Sequence, residues 1–428
     1  MATYAEMSED QRRAALQEAR HTYDGFCEAG LSLNMARGKP AAAQLDLSTP
    51  LLTQLSTPED CFSEDGTDCR NYGVIDGIPE AKRLMALLLD DEPDNVFVFG
   101  NASLTVMHDA IARCLDHGCL GSTPWAQLPE VSFLCPVPGY DRHFTILEQF
   151  GIRMIAVPLD EKGPDMDEVE RLVAADASVK GIWCVPKYSN PSGATYSDEV
   201  VRRLARMECA AADFRIFWDN AYCVHHLHPD AERQDRVLDI RRACAEAGNP
   251  DRCLKFASTS KITFPGAGVS AMAASSANLA EAKRLCGAQM IGHDKLNQLR
   301  HARFLPDADA LARHMAAHAD IMRPKFELVQ QVLEEELDGL GVGCWTDPRG
   351  GYFVSFQGLP NTAKRTVQLA KEAGVVLTNA GATWPSGQDP EDANIRIAPT
   401  MPTLDELAQA LSVFCCCVKL AALEALTA

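Results

Sequence analysis

The chain has 428 residues, 46% hydrophobic and 23% charged, with a formal net charge of −19. That size allows more than one folded unit with a sizeable core. So acidic a surface repels phosphate backbones, which argues against nucleic acid as a partner but leaves small anionic ligands open. The N-terminal MATYAEMSEDQRRAALQEAR is polar with mixed charge rather than an apolar leader. No membrane-spanning run is expected, so a cytoplasmic protein with no membrane association is predicted.

Short apolar runs alternate with helix-like segments from Val96 to Ser270. VFVF (96–99) precedes ASLTVMHDAIARCL, and VSFLCP (131–136) precedes YDRHFTILEQFG. RMIAVPL, GIWCVP, FRIFWD and CLKFAS continue the series as candidate buried strands. Strands alternating with helices predict an α/β domain with a mostly parallel sheet. After Asp309 a long helical stretch leads to GGYFVSF and NIRIAP, the texture of a smaller α+β domain. The expected division is a segment 1–50 joining the small domain, a large domain 51–310 and a small C-terminal domain 311–428. The 16 cysteines contain no CxxC pair. Cys415, Cys416 and Cys417 lie in the helix-like SVFCCCVKLAALEAL and are expected to face the core, reduced.

Five features carry chemical interest, and each has a plain structural reading beside it. GNAS (Gly100, Asn101, Ala102, Ser103) follows a strand and opens a helix, so its backbone N–H groups suit an anion; it also reads as an ordinary strand-to-helix turn. SNPSG (189–193) is a turn, or a mount for a ligand-facing Asn190 amide. WDNAY (218–222) ends a strand, where Asp219 either faces a ligand crevice or caps a helix. Lys261 is the only charged residue from Phe256 to Ala280. It is either a snorkelling surface lysine or an amine whose pKa desolvation lowers until it is a nucleophile. His225, His226 and His228 allow a metal reading, but no carboxylate–histidine spacing supports it, and a solvated loop with no metal is expected.

The order GNAS, PGY, NPSG, DNAY, STSK, GGYF, IRI resembles a fold type I pyridoxal 5'-phosphate (PLP) aminotransferase of class I/II. NMARGKP, QLDLS, NYGVIDGIPEAKRL and IGHDKLNQLRH narrow the resemblance to a divergent bacterial branch of aspartate aminotransferases related to the aminotransferase module of PLP-dependent regulators. The resemblance implies a large domain with a mostly parallel seven-stranded sheet flanked by helices, plus a smaller α+β domain. It implies that Lys261 forms the Schiff base with PLP and shuttles the substrate proton. Asp219 would pair with the pyridine nitrogen, and Asn190 and Tyr222 with the ring's phenolic oxygen. Tyr140 would stack on the ring. Gly100, Asn101, Ala102, Ser103 and Ser258 would hold the phosphate, with Tyr72 reaching it from the other subunit of a homodimer. Arg396 would grip the substrate α-carboxylate, bidentately as arginine can, with Gly38 beside it and Arg37 and Lys39 adding positive charge. His143 is either near the cofactor or a packing residue.

Two positions need separate comment. Many relatives carry an arginine eight positions after the Schiff-base lysine, where this chain has Val269. Lys295, with Arg300 close by, falls where a partner-subunit cation binds the distal substrate carboxylate. The implied activity is ping-pong transfer from aspartate to 2-oxoglutarate. Rival readings on the same scaffold are aminotransferases for 2-aminoadipate, alanine–glyoxylate or aromatic amino acids, a β-lyase and a decarboxylase. A PLP-binding regulator lacks room for a DNA-binding domain before Leu31, and a cofactor-free Schiff-base aldolase leaves Asp219, Tyr222 and the anion turn unexplained.

Overall fold

The computed structural model describes residues 3–427. Its central sheet has eight strands, in spatial order Val96–Val98, Ser270–Ala273, Cys253–Ser258, Arg215–Asp219, Val179–Cys184, Ser132–Val137, Arg153–Asp160 and Gly163–Pro164. The run from Cys253–Ser258 to Arg153–Asp160 is parallel; Ser270–Ala273 runs antiparallel to both neighbours. SFLCPV, VKGIWC and RIFWD are buried at every position, as strands covered by helices on both faces must be. The expectation of seven strands needs one addition. Gly163–Pro164 makes a two-residue antiparallel edge on Leu159–Asp160, too short to leave a periodic signal.

The second structural unit is built on an antiparallel sheet, Gly343–Trp345, Val354–Gly358 and Asn394–Ile397, with the central strand in the middle. The N-terminal helix Glu9–Glu28 starts at a capping box in which Ser8 and Gln11 satisfy each other's backbone N–H. It packs along the C-terminal helix Leu404–Thr427, and Leu33–Asn34 then pairs in parallel with Val375–Val376. Helix Ala308–Leu337 links the two cores. Leu311 and Met315 pack with Ile78, Leu84 and Val98, whereas Met322, Phe326, Val329 and Leu333 pack with Leu411 and Phe414. Those spacings of three and four residues place one apolar stripe along the helix.

Leu404–Thr427 corrects another expectation. It is long and apolar enough to cross a membrane, yet 67% of its most apolar window is buried inside the fold. Cys415, Cys416 and Cys417 all lie in that core with free thiols. Three consecutive buried residues mean that this helix is covered on most sides.

Candidate active site

The carboxyl ends of the parallel strands bring the conspicuous residues together. Asp219 is the last residue of its strand and 2% exposed. Its Oδ2 lies 3.1 Å from His143 Nε2, while Oδ1 is buried with no partner among the described residues. The His143 ring stacks on Trp183 at 4.2 Å between centroids, and Tyr140 meets His143 edge-on at 4.9 Å. An acceptor of this kind, oriented from behind and unsatisfied in front, is costly to bury unless a donor meets it.

Lys261 follows strand Cys253–Ser258, with its Nζ 4.8 Å from the centre of the Tyr222 ring. Burial pushes its pKa down, and the Asp219 carboxylate partly offsets this. Tyr222 is buried, and its phenol is raised well above the usual range by burial, with Tyr140 and Asp219 adding to the shift. Behind Lys261, His225 Nε2 lies 3.3 Å from the Lys261 carbonyl, and Tyr352 donates to that oxygen at 3.4 Å. His314 Nε2 sits 2.7 Å from the next carbonyl, Ile262. The lysine backbone is thus held by a buried polar wall.

Helix Ser103–His117 begins after Ala102 with no side-chain cap, so its first N–H groups face outward beside Gly100 and Asn101. The Lys261 segment is laced to this turn. Ser258 Oγ donates to Ser260 Oγ at 2.9 Å, Ser260 Oγ to the Asn101 carbonyl at 3.4 Å, and Ser270 N to the Gly100 carbonyl at 2.7 Å. A Cβ on Gly268 would stand 3.0 Å from the Asn101 carbonyl, tighter than ordinary packing. Val269 is buried and its N–H donates to Thr259 Oγ1, so it offers nothing to an anion there.

Arg396, on strand Asn394–Ile397, forms the opposite wall and is 7% exposed. Its Nη1 donates to Asp141 Oδ1 at 3.1 Å and Asn190 Oδ1 at 3.2 Å, and its Nη2 to Thr378 Oγ1 at 3.3 Å. The guanidinium lies 4.8 Å from the centre of the Phe353 ring. A Cβ on Gly38 would come within 2.5 Å of that ring, which accounts for glycine there. Arg37 and Lys39 flank Gly38 and are exposed.

Two expected participants lie apart from this cluster. Tyr72 is 82% exposed, directed away from the chain's own body. Lys295 requires a correction. It is 4% exposed, and its ammonium donates to the Asn71 and Gly73 carbonyls at 2.6 and 2.9 Å. It clamps the loop that presents Tyr72, so in this geometry it is not a free cation for a substrate. Arg300 is likewise engaged, donating to Asn297 Oδ1. The three neighbouring histidines do not converge: His225 faces Lys261, His226 Nδ1 lies 2.6 Å from Tyr188 OH, and His228 Nδ1 meets no partner among the described residues. Asp141, Thr378, Phe353 and Trp183 complete the site, although sequence alone assigns none of them a role. Phe353 lies in GGYF, Trp183 in the strand run GIWCVP and Asp141 between Tyr140 and His143, whereas Thr378 lies in no motif.

The arrangement suits a flat ring carrying an anionic arm. It offers an unsatisfied acceptor, a desolvated amine, an aromatic neighbour, an open helix start and a guanidinium for a carboxylate. The profile of the family described as aspartate amino-transferase matches residues 7–428. A Mycolicibacterium smegmatis chain, described as an aminotransferase of unstated substrate, is 49% identical over 426 residues, 99% of each chain. An aspartate aminotransferase of Corynebacterium glutamicum is 44% identical over 433 residues, again 99% of each. A crystal structure of an aspartate transaminase from that organism superposes with a TM-score of 0.96 at 43% identity, covering 99% of both chains. An α-aminoadipate aminotransferase of Thermus thermophilus, complexed with N-(5'-phosphopyridoxyl)-L-leucine, shares the fold with a TM-score of 0.73 at 19% identity, covering 92% of this chain and 93% of that one.

Proposed function

The chain belongs to the aspartate amino-transferase family and is an aminotransferase, and on that premise we propose that it uses PLP to move the amino group of aspartate to 2-oxoglutarate. The observation that carries the cofactor reading is the Asp219 carboxylate, held by His143 on one oxygen and buried without a partner on the other, beside the desolvated Lys261 amine. When bound, PLP supplies an electron-withdrawing ring that stabilises negative charge at the substrate Cα.

The remaining work falls to the chain. Asp219 Oδ1 would hold the pyridine nitrogen of the cofactor through a charge-assisted hydrogen bond. Tyr140 would cover a ring face, Tyr222 and the Asn190 amide would hold the phenolic oxygen, and the open N–H groups at Asn101–Ser103, with Ser258, would hold the phosphate. Lys261 Nζ, its pKa lowered by burial, accepts the proton from the substrate Cα. Arg396 fixes the α-carboxylate. With Lys295 engaged elsewhere, exposed Arg37, beside Gly38, is the candidate for the distal carboxylate of a dicarboxylic substrate. Tyr72 completes the phosphate site of a second copy in a homodimer.

The test is product formation by the purified enzyme. Aspartate with 2-oxoglutarate should give equimolar oxaloacetate and glutamate, faster than alanine with glyoxylate or 2-aminoadipate with 2-oxoglutarate. Faster turnover of either other pair would reassign the substrate.

A further inference from the structure

The contact between Arg396 and Asp141 sets a condition on substrate entry. Among the described residues Asp141 is the only carboxylate paired with Arg396. The Nη1 group carries two N–H bonds, and both are taken, one by Asp141 and one by Asn190. Nη2 donates one of its two N–H bonds to Thr378, and Nε is buried without a partner among the described residues. A carboxylate that meets the Nη1–Nη2 end of the guanidinium through two parallel N–H bonds, one from each nitrogen, therefore has to take the Nη1 bond from Asp141 or Asn190.

The partners differ in their freedom to leave. Asn190 is 3% exposed. The Thr378 hydroxyl is tied by its own bond to the Ala36 carbonyl at 2.6 Å. Asp141 is the first residue of helix Asp141–Gln149, and its side chain is 32% exposed. It can rotate toward solvent with no loss of helix backbone bonding. Two carboxylates on one guanidinium would also repel each other at close range.

We propose that Asp141 is a displaceable counter-ion of Arg396: a built-in carboxylate that pairs with the guanidinium until the α-carboxylate of a substrate displaces it. This rests on the reading of Arg396 as the carboxylate grip. Asp141 raises the threshold for binding, so that a small monocarboxylate competes poorly and a ligand with further anchoring points succeeds. Arg396 is never left as an uncompensated buried charge.

The probes are acetate, succinate and glutarate, titrated calorimetrically into the holoenzyme and into the Asp141→Asn and Asp141→Glu variants at fixed ionic strength. Asp141→Asn keeps the shape and removes the competing charge, so all three anions should bind about tenfold more tightly or better. Asp141→Glu keeps the charge and should stay near the original affinities. Unchanged or weaker binding in Asp141→Asn would overturn the proposal and leave the aminotransferase reading intact. Tighter binding with no preference for succinate would uphold the counter-ion while removing support for aspartate as substrate. If no anion bound any of the proteins, Arg396 would not be a carboxylate grip, and the proposal would fall with that reading. Should Asp141→Asn lower the unfolding midpoint, Asp141→Ser repeats the test with another small polar residue at the helix start.

Discussion

Single residues show most directly what the fold costs. His225, His301 and His318 are buried, and burial lowers their pKa values to about 3, about 4 and about 4 from an ordinary 6.5. The folded chain thus leaves them neutral where the unfolded chain protonates them. Stability from this source is complete above about pH 6.5 and is lost as the pH falls toward 4, by about 1.4 kcal/mol per pH unit for each ring. Denaturant midpoints should fall between pH 6.5 and 4.5, less steeply in His318→Gln; equal slopes in the two proteins would contradict the assignment for His318. Lys261, Asp219, Tyr222 and Arg396 were legible in sequence because each lies in a short motif at a strand end or in a strand. Asp141 was not, because its meaning lies in a contact with a residue 255 positions away.

The element with the most unexpected duty is helix Lys295–Phe304. Lys295 holds the Tyr72 loop, Asn297 Nδ2 donates to the Ala267 and Gly268 carbonyls, and His301 Nε2 lies 2.9 Å from Thr263 Oγ1. This helix therefore ties the segment after Lys261, through Asn297 and His301, to the loop that presents Tyr72, through Lys295. Periodicity located the long helices and the buried parallel strands, whose apolar runs are unambiguous. It could not show that Lys295 points inward, because a lysine in a polar sequence reads as exposed until the carbonyls it meets are known. Lys295→Met leaves the Asn71 and Gly73 carbonyls without their donor. It should cost about 2–3 kcal/mol of stability and leave the preference for aspartate over alanine unchanged. Lost preference at unchanged stability would restore Lys295 as a substrate cation.

At the scale of the whole molecule, two cores meet across helix Ala308–Leu337, and the site lies where the sheet's carboxyl ends face the Arg396 strand. The large-domain residues offer the amine, the acceptor and the anion turn; the other unit offers the guanidinium. The order of motifs along the chain made that assembly readable, since strand ends in a parallel sheet converge on one edge. Gly343–Trp345 left no comparable signal, being a three-residue strand with mostly exposed side chains. In the proposed function Lys261 holds PLP in this site and aspartate donates its nitrogen there. The direct measurement is the visible absorption of the purified enzyme with aspartate alone, then with 2-oxoglutarate added. The yellow band of the lysine-held cofactor should vanish with aspartate and return with the keto acid, and Lys261→Ala should show no such cycle. A band indifferent to aspartate would rule out aspartate as the donor, and a full cycle in Lys261→Ala would rule out Lys261 as the residue that holds the cofactor.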